Sequence, residues 1–244
     1  MDTRTVALAA FASLVASGFA LVTADRWHRR RQVHHGAWTI AMVLFAVGSF
    51  SLWWATSTGW SDGVFRVFFT AGAVLNVSWL ALGSIALLAG DRAAIMIGRV
   101  IALLSAFAIG VMAVAPTKKD FIATEFPQAR DHFGVLPRTL AAVGSGLPAL
   151  IIIAGAVWSI VRLASRRSPA LAGVQRRNLV TTPRLVVSNV LIALGTLVLS
   201  ASGSLAGRLG EEQAFTVTLS MGVVILFVGF MVPSVRTPLR SNLP

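Results

Sequence analysis

Long apolar blocks alternate with short polar stretches along the chain. Seven blocks stand out, at roughly 5–23, 36–55, 64–89, 93–115, 138–161, 185–206 and 213–232. Each is close to the ~20 residues a helix needs to cross about 30 Å of hydrocarbon. The apolar residues run continuously rather than as amphipathic stripes, so each helix meets protein or lipid on every side. Short strands of alternating polarity, the mark of a membrane barrel, are absent. The pattern predicts an all-α fold: a polytopic transmembrane helical bundle of about seven spans, with residues 1–244 forming one domain.

The polar connections set the expected orientation, because basic residues are retained on the cytoplasmic side. Fourteen of the 21 basic residues fall on one face: Arg26, Arg29, Arg30 and Arg31, then Arg92 and Arg99, then Arg162 to Arg184, then Arg236 and Arg240. Only Asp25 and Asp91 accompany them, so that face carries the whole formal net charge of +12. The chain is therefore expected to start outside and end in the cytoplasm. Val22-Thr23-Ala24 looks like a signal-peptidase site. Cleavage there would strand Arg26 to Arg31 outside, so the first span is expected to stay. Trp27, Trp38 and Trp158 fall near the inner interface and Trp53, Trp54 and Trp60 near the outer one; Trp79 alone sits deep.

Composition narrows the chemistry. Only 12% of residues are charged, against roughly 25% in soluble domains. The positive charge thus reads as topology, and nucleic acid is not an expected partner. Cysteine is absent, which removes disulfides, thiolate metal sites and a catalytic thiol. The only lysines, Lys118 and Lys119, lie in an outer connection, where they cannot hold retinal. No Asp, Glu, His or Lys falls inside a predicted span. A proton relay at depth, a bis-histidine haem and an intramembrane protease all need such groups. A serine nucleophile would lack an activating base. No enzyme, metal site or cofactor is expected.

The polar residues left at depth are the candidates for ligand or lipid contact: Arg92, Arg99, Asn76, Asn189, Trp79 and Ser200. Arg99 belongs to the fourth span, since beginning after it leaves too few residues to cross. Arg92, seven residues earlier, shares its face. The pair can hold an anionic headgroup, or Arg99 can simply snorkel. Arg66 lies one turn after Asp62, at pairing distance on a helix. Asn76 and Asn189 need partners in hydrocarbon and predict interhelical hydrogen bonds, with Arg99–Asn189 as one such contact. Gly195, Thr196, Ser200, Ser202, Gly203 and Gly207 give the sixth span a small, hydroxylated face. These hydroxyls can line a polar cavity or bond their own backbone. Pro148, after Gly144 and Gly146, should bend or loosen the fifth span. The outer connection Pro116 to Pro137 reads as a solvated cap, and the basic stretch around Arg162 to Arg184 as a surface for anionic lipid or protein.

The run from Phe65-Arg66 through Asn76 and Trp79-Leu-Ala-Leu-Gly83, with Gly195 to Gly203 and Gly222 to Phe230, resembles uncharacterised seven-span integral membrane proteins of GC-rich Gram-positive bacteria. The resemblance implies a bacterial plasma membrane and no particular activity. The architecture also resembles sugar-exporter-like proteins, in which spans 1–3 and 5–7 are parallel repeats and span 4 links them. Gly48 followed by Phe65-Arg66, against Gly195 followed by Phe215, hints at such a repeat with unequal spacing. The proline-glutamine motif of one such group has no counterpart in a span, since Pro127-Gln128 lies in a loop. The expected function is a non-catalytic sensor-like or assembly subunit acting through protein or lipid contacts, with membrane lipids and a protein partner or second copy as partners. The alternative is an uncoupled small-molecule or lipid transporter with a polar path among spans 3, 4 and 6. A water-accessible cavity around the buried amides favours the alternative; a solid core favours the first.

Overall fold

The computed structural model describes residues 3–165, 187, 190–199, 202 and 212–231, and these are helical with connecting loops. Helix α1 spans Thr3–Arg30, α2 Val33–Thr58, α3 Asp62–Ala89 and α4 Asp91–Val114. The short α5 is Ala129–His132. Helix α6 begins as Val135–Ala141, widens over Ala142–Gly146 and continues as Leu147–Ser165. A short apolar helix, α7, covers Val190–Leu199, and α8 covers Glu212–Met231. Six of these helices are long and apolar enough to cross a membrane. Their bounds agree with the apolar blocks to a few residues, except that α1 runs a further two turns through its basic end.

Tight turns fix the direction of successive helices. Gly59 at φ 104° and Gly90 at φ 86° close α2 and α3 in conformations that favour glycine. The amide N–H of each bonds the carbonyl four residues back, at 2.8 and 3.1 Å. Helices α1 to α4 therefore alternate in direction. The last helix runs parallel to the first: Ser220 Oγ donates to the Leu8 carbonyl at 3.3 Å, and Arg26 Nη1, further along α1, donates to the Phe230 carbonyl, further along α8, at 3.3 Å. The arginine there meets the carbonyl end of α8, where a cation complements the helix dipole. Helix α7 lies antiparallel to α8. A Cβ on Gly195 would come within 2.8 Å of Leu226, one on Gly222 within 2.6 Å of Leu199, and one on Gly229 within 3.0 Å of Leu191. This is the close approach that small residues permit.

The interior forms around α2 and α3, with half or more of the apolar window of each buried. Leu52, Phe65, Phe133 and Met112 are among its fully enclosed side chains. Helix α4 stands at the rim, with 11% of its window buried, through Ala94, Ala108 and Met112 alone. The outer connection is a correction to the sequence reading. It folds inward instead of forming a purely solvated cap: Phe121, Phe126, Phe133 and His132 pack around Phe65 and Trp60. Trp60 is 3% exposed, and its backbone N–H bonds the Ala123 carbonyl at 3.0 Å.

Candidate functional site

Two of the spans leave the α-helical ladder at the same level. In α3 the backbone widens into a π-helix over Phe69–Leu75, and the Asn76 N–H reaches back five residues to the Ala71 carbonyl. In α6 it widens over Ala142–Gly146, immediately before Pro148. Proline has no N–H to offer the carbonyl four residues back, which is Gly144. Ser78 Oγ, from α3, donates to that carbonyl at 2.9 Å. A freed backbone acceptor in lipid needs such a donor. The two wide turns touch backbone to backbone, because a Cβ on Gly144 would run into the Val74 carbonyl oxygen. Gly48 of α2 approaches the Gly72 Cα on the other side, where a Cβ would sit 3.4 Å away.

Beside this junction lies a cavity of about 740 Å³. Helices α2, α3, α6, α7 and α8 and the outer connection line it; no residue of α4 does. Its walls are apolar and aromatic, among them Phe45, Phe68, Phe69, Phe126, Phe215 and Leu226. Among the described residues that line it there is no Asp, Glu, His, Lys or Arg. The polar groups are few. Thr196, Ser202 and Ser145 each bond a carbonyl of their own helix, at 2.8, 2.8 and 2.7 Å. Ser49, 3% exposed, has no hydrogen bond among the described residues. Asn76, 5% exposed, and Gln128 each keep a buried amide oxygen without a hydrogen-bond partner among the described residues. A Cβ built on Gly72 or Gly146 meets nothing within 4 Å, so both glycines border open space.

The sequence candidates are dispersed. Asn76 lines the cavity, and its amide oxygen has no hydrogen-bond partner among the described residues. Trp79 belongs to a packing contact, its Nε1 donating to Ser105 Oγ of α4 at 3.2 Å. Arg92 and Arg99 are exposed on the rim helix. Asn189, Ser200, Gly203 and Gly207 lie outside the described residues, and with them the expected Arg99–Asn189 contact. The Asp62–Arg66 pair is present, Nε to Oδ2 at 2.8 Å. Arg66 also donates to the Met112 carbonyl at 2.6 Å and to Thr117 at 2.8 Å, and Thr117 donates to Asp62 at 3.0 Å. This cluster pins the start of α3 to the end of α4. Among the described residues no group of three or more His, Asp or Glu could hold a metal ion.

Gln128, Phe126 and Ser49 were missed as lining residues. Pro127-Gln128 is a polar loop dipeptide in sequence, and nothing in its spacing marks a turn folded into the bundle. Comparison with protein-family models, with curated proteins and with solved structures gives no match.

Proposed function

We propose that the protein is a non-catalytic binder of an uncharged, mostly apolar small molecule that carries a hydrogen-bond donor. Such a molecule would sit in the cavity beside Asn76. The observation that carries this is a hollow of about 740 Å³ lined by Asn76, whose buried side-chain oxygen has no hydrogen-bond partner among the described residues. Ligand sites in proteins are typically apolar hollows of 300–1,000 Å³ with a few well-placed polar groups. A buried acceptor without a donor is costly, and a ligand donor relieves that cost. The described lining residues carry no charge, which disfavours ions, whose burial without a partner is far more costly.

A hollow with an unbonded amide favours the small-molecule carrier over a solid assembly subunit, and its walls move the path to spans 2, 3, 5, 6 and 7. Movement of an uncharged ligand would be uncoupled and independent of membrane voltage. Seven crossings with the N-terminus outside is our reading of the topology. The parallel run of α1 and α8 supports an odd count, and the apolar α7, antiparallel to α8, is consistent with it. The one-sided arginines support the orientation, and the resemblance to membrane proteins of GC-rich bacteria points to a plasma membrane.

The test is purification in mild detergent with mass-spectrometric identification of co-purifying apolar compounds, for wild type, Gly72→Leu and Gly146→Leu. Wild type should carry one uncharged compound at near-stoichiometric level. Each leucine, placed where space is open, should reduce it at least about tenfold, as loss of a well-packed site does. Equal recovery from all three proteins would defeat the proposal.

A further inference from the structure

The rim helix carries a second feature that the cavity does not use. Residues Arg92, Met96, Arg99 and Leu103 follow one another at intervals of four, three and four, so they form one stripe along α4. All four are exposed, Met96 at 69% and Leu103 at 72%. The buried residues of α4, Ala94, Ala108 and Met112, lie on the opposite side of the helix. The stripe therefore faces away from the bundle. Arg99 is eight residues into the helix, roughly 12 Å along its axis from Asp91, so an apolar surface surrounds it on the lipid side.

A guanidinium at that depth is carried toward the interface by its own stem. What meets it there depends on which acids lie within reach, and the protein has almost none. Asp25 and Asp91 are the only acids at that end of the bundle. Asp25 is bonded to Arg29 at 2.8 Å. Asp91 lies about 80° around the helix from Arg99 and about 12 Å away. Arg99 has no ion pair or hydrogen bond among the described residues. The stretches 166–186 and 232–244, which connect at the same end in our topology, contain no Asp or Glu. A second copy of the chain would bring the same shortage.

We propose that the Arg92–Met96–Arg99–Leu103 stripe docks an anionic phospholipid, its phosphate between the two arginines and its acyl chains along Met96 and Leu103. Charge complementarity requires an anion from outside the chain, and the apolar positions of the stripe require one with a tail. Inorganic phosphate would satisfy only the arginines. The inference is independent of the cavity's ligand.

Native mass spectrometry of the full chain, released from nanodiscs holding equal phosphatidylglycerol and phosphatidylcholine, tests this. Wild type should retain phosphatidylglycerol preferentially. Arg99→Gln should lower that preference about fivefold, the factor expected for one arginine near a lipid surface, and Arg92→Gln by a similar factor. Arg99→Lys should keep most of it. Because the stripe lies outside the bundle, these variants should match wild type in thermal stability. Equal retention of the two lipids, or unchanged preference in Arg99→Gln, would overturn the proposal. So would an acidic protein that replaces lipid on the stripe, or displacement of phosphatidylglycerol by millimolar inorganic phosphate.

Discussion

Replacing Asn76 by leucine separates the two roles a buried amide can have in a membrane protein. If Asn76 were glue between helices, Asn76→Leu would remove an interhelical hydrogen bond worth about 0.6–2 kcal/mol and destabilise the bundle by that amount. In the structure its oxygen is buried without a partner among the described residues. An unsatisfied polar group of this kind costs about 1–3 kcal/mol. Leucine has the same branched four-atom skeleton and no polar atom, and the adjoining hollow can take its larger methyl groups, so the empty protein should gain about 1–2 kcal/mol. For a chain of this size each kcal/mol corresponds to about 2–4 °C in Tm. The assay is thermal unfolding in detergent, followed by tryptophan fluorescence, on protein stripped of co-purifying compounds. Stripping matters because a bound ligand stabilises the folded state by mass action and would mask the gain. The expected pattern is a higher Tm for stripped Asn76→Leu together with loss of the co-purifying compound. A lower Tm would show that the amide is bonded to protein, and the ligand reading would go with it.

Other consequences follow from single contacts. Gly144→Ala forces a Cβ into the Val74 carbonyl and should cost about 1–3 kcal/mol, as overpacking does; a neutral result in thermal unfolding would mean that the two wide turns do not touch. Arg66→Gln loses the charged bonds to Asp62 and to the Met112 carbonyl and should lower stability by about 2–4 kcal/mol. Asp62→Asn, which leaves the Met112 and Thr117 bonds available to Arg66, should cost less than Arg66→Gln in the same assay. Trp79→Phe removes the bond to Ser105 and part of the indole's packing and should cost about 1–3 kcal/mol without altering ligand recovery. Since the chain has no cysteine, Ser57→Cys and Ser168→Cys each introduce a unique thiol. A membrane-impermeant maleimide on intact cells should label the first and spare the second, and the reverse pattern would invert the orientation.

Six of the spans were legible because their signal is mean hydropathy over twenty residues, which tolerates any local irregularity. The Asp62–Arg66 pair was legible because a spacing of four on a helix is enough to join them. Pro148 announced a disturbed α6 for a definite reason, the missing N–H opposite Gly144. The widening of α3 carried no comparable sign: Phe69 to Leu75 contains one glycine and no proline, and reads as ordinary helix. The packing of Trp60 and of the connection Pro116 to Pro137 was not legible, because aromatic residues in a polar loop serve an interface as well as a packed core. Their choice depends on Phe65 and Phe133, which are distant in sequence and stacked at 5.3 Å. Arg99 could be assigned a depth from sequence. Its azimuth, away from the bundle, required knowing that α4 rests on Ala94, Ala108 and Met112.

A π turn contains one residue more than the α turn it replaces, so everything beyond it is rotated by about 100°. Straightening residues 69–75 into plain α-helix at unchanged length would swing the Asn76 amide out of the hollow and take the Ser78 hydroxyl off Gly144 together. Deleting one residue there would let the turn straighten and leave both groups in place. The position of this polar chemistry is thus set by turn width and residue count together, and a change in either one alone would erase it.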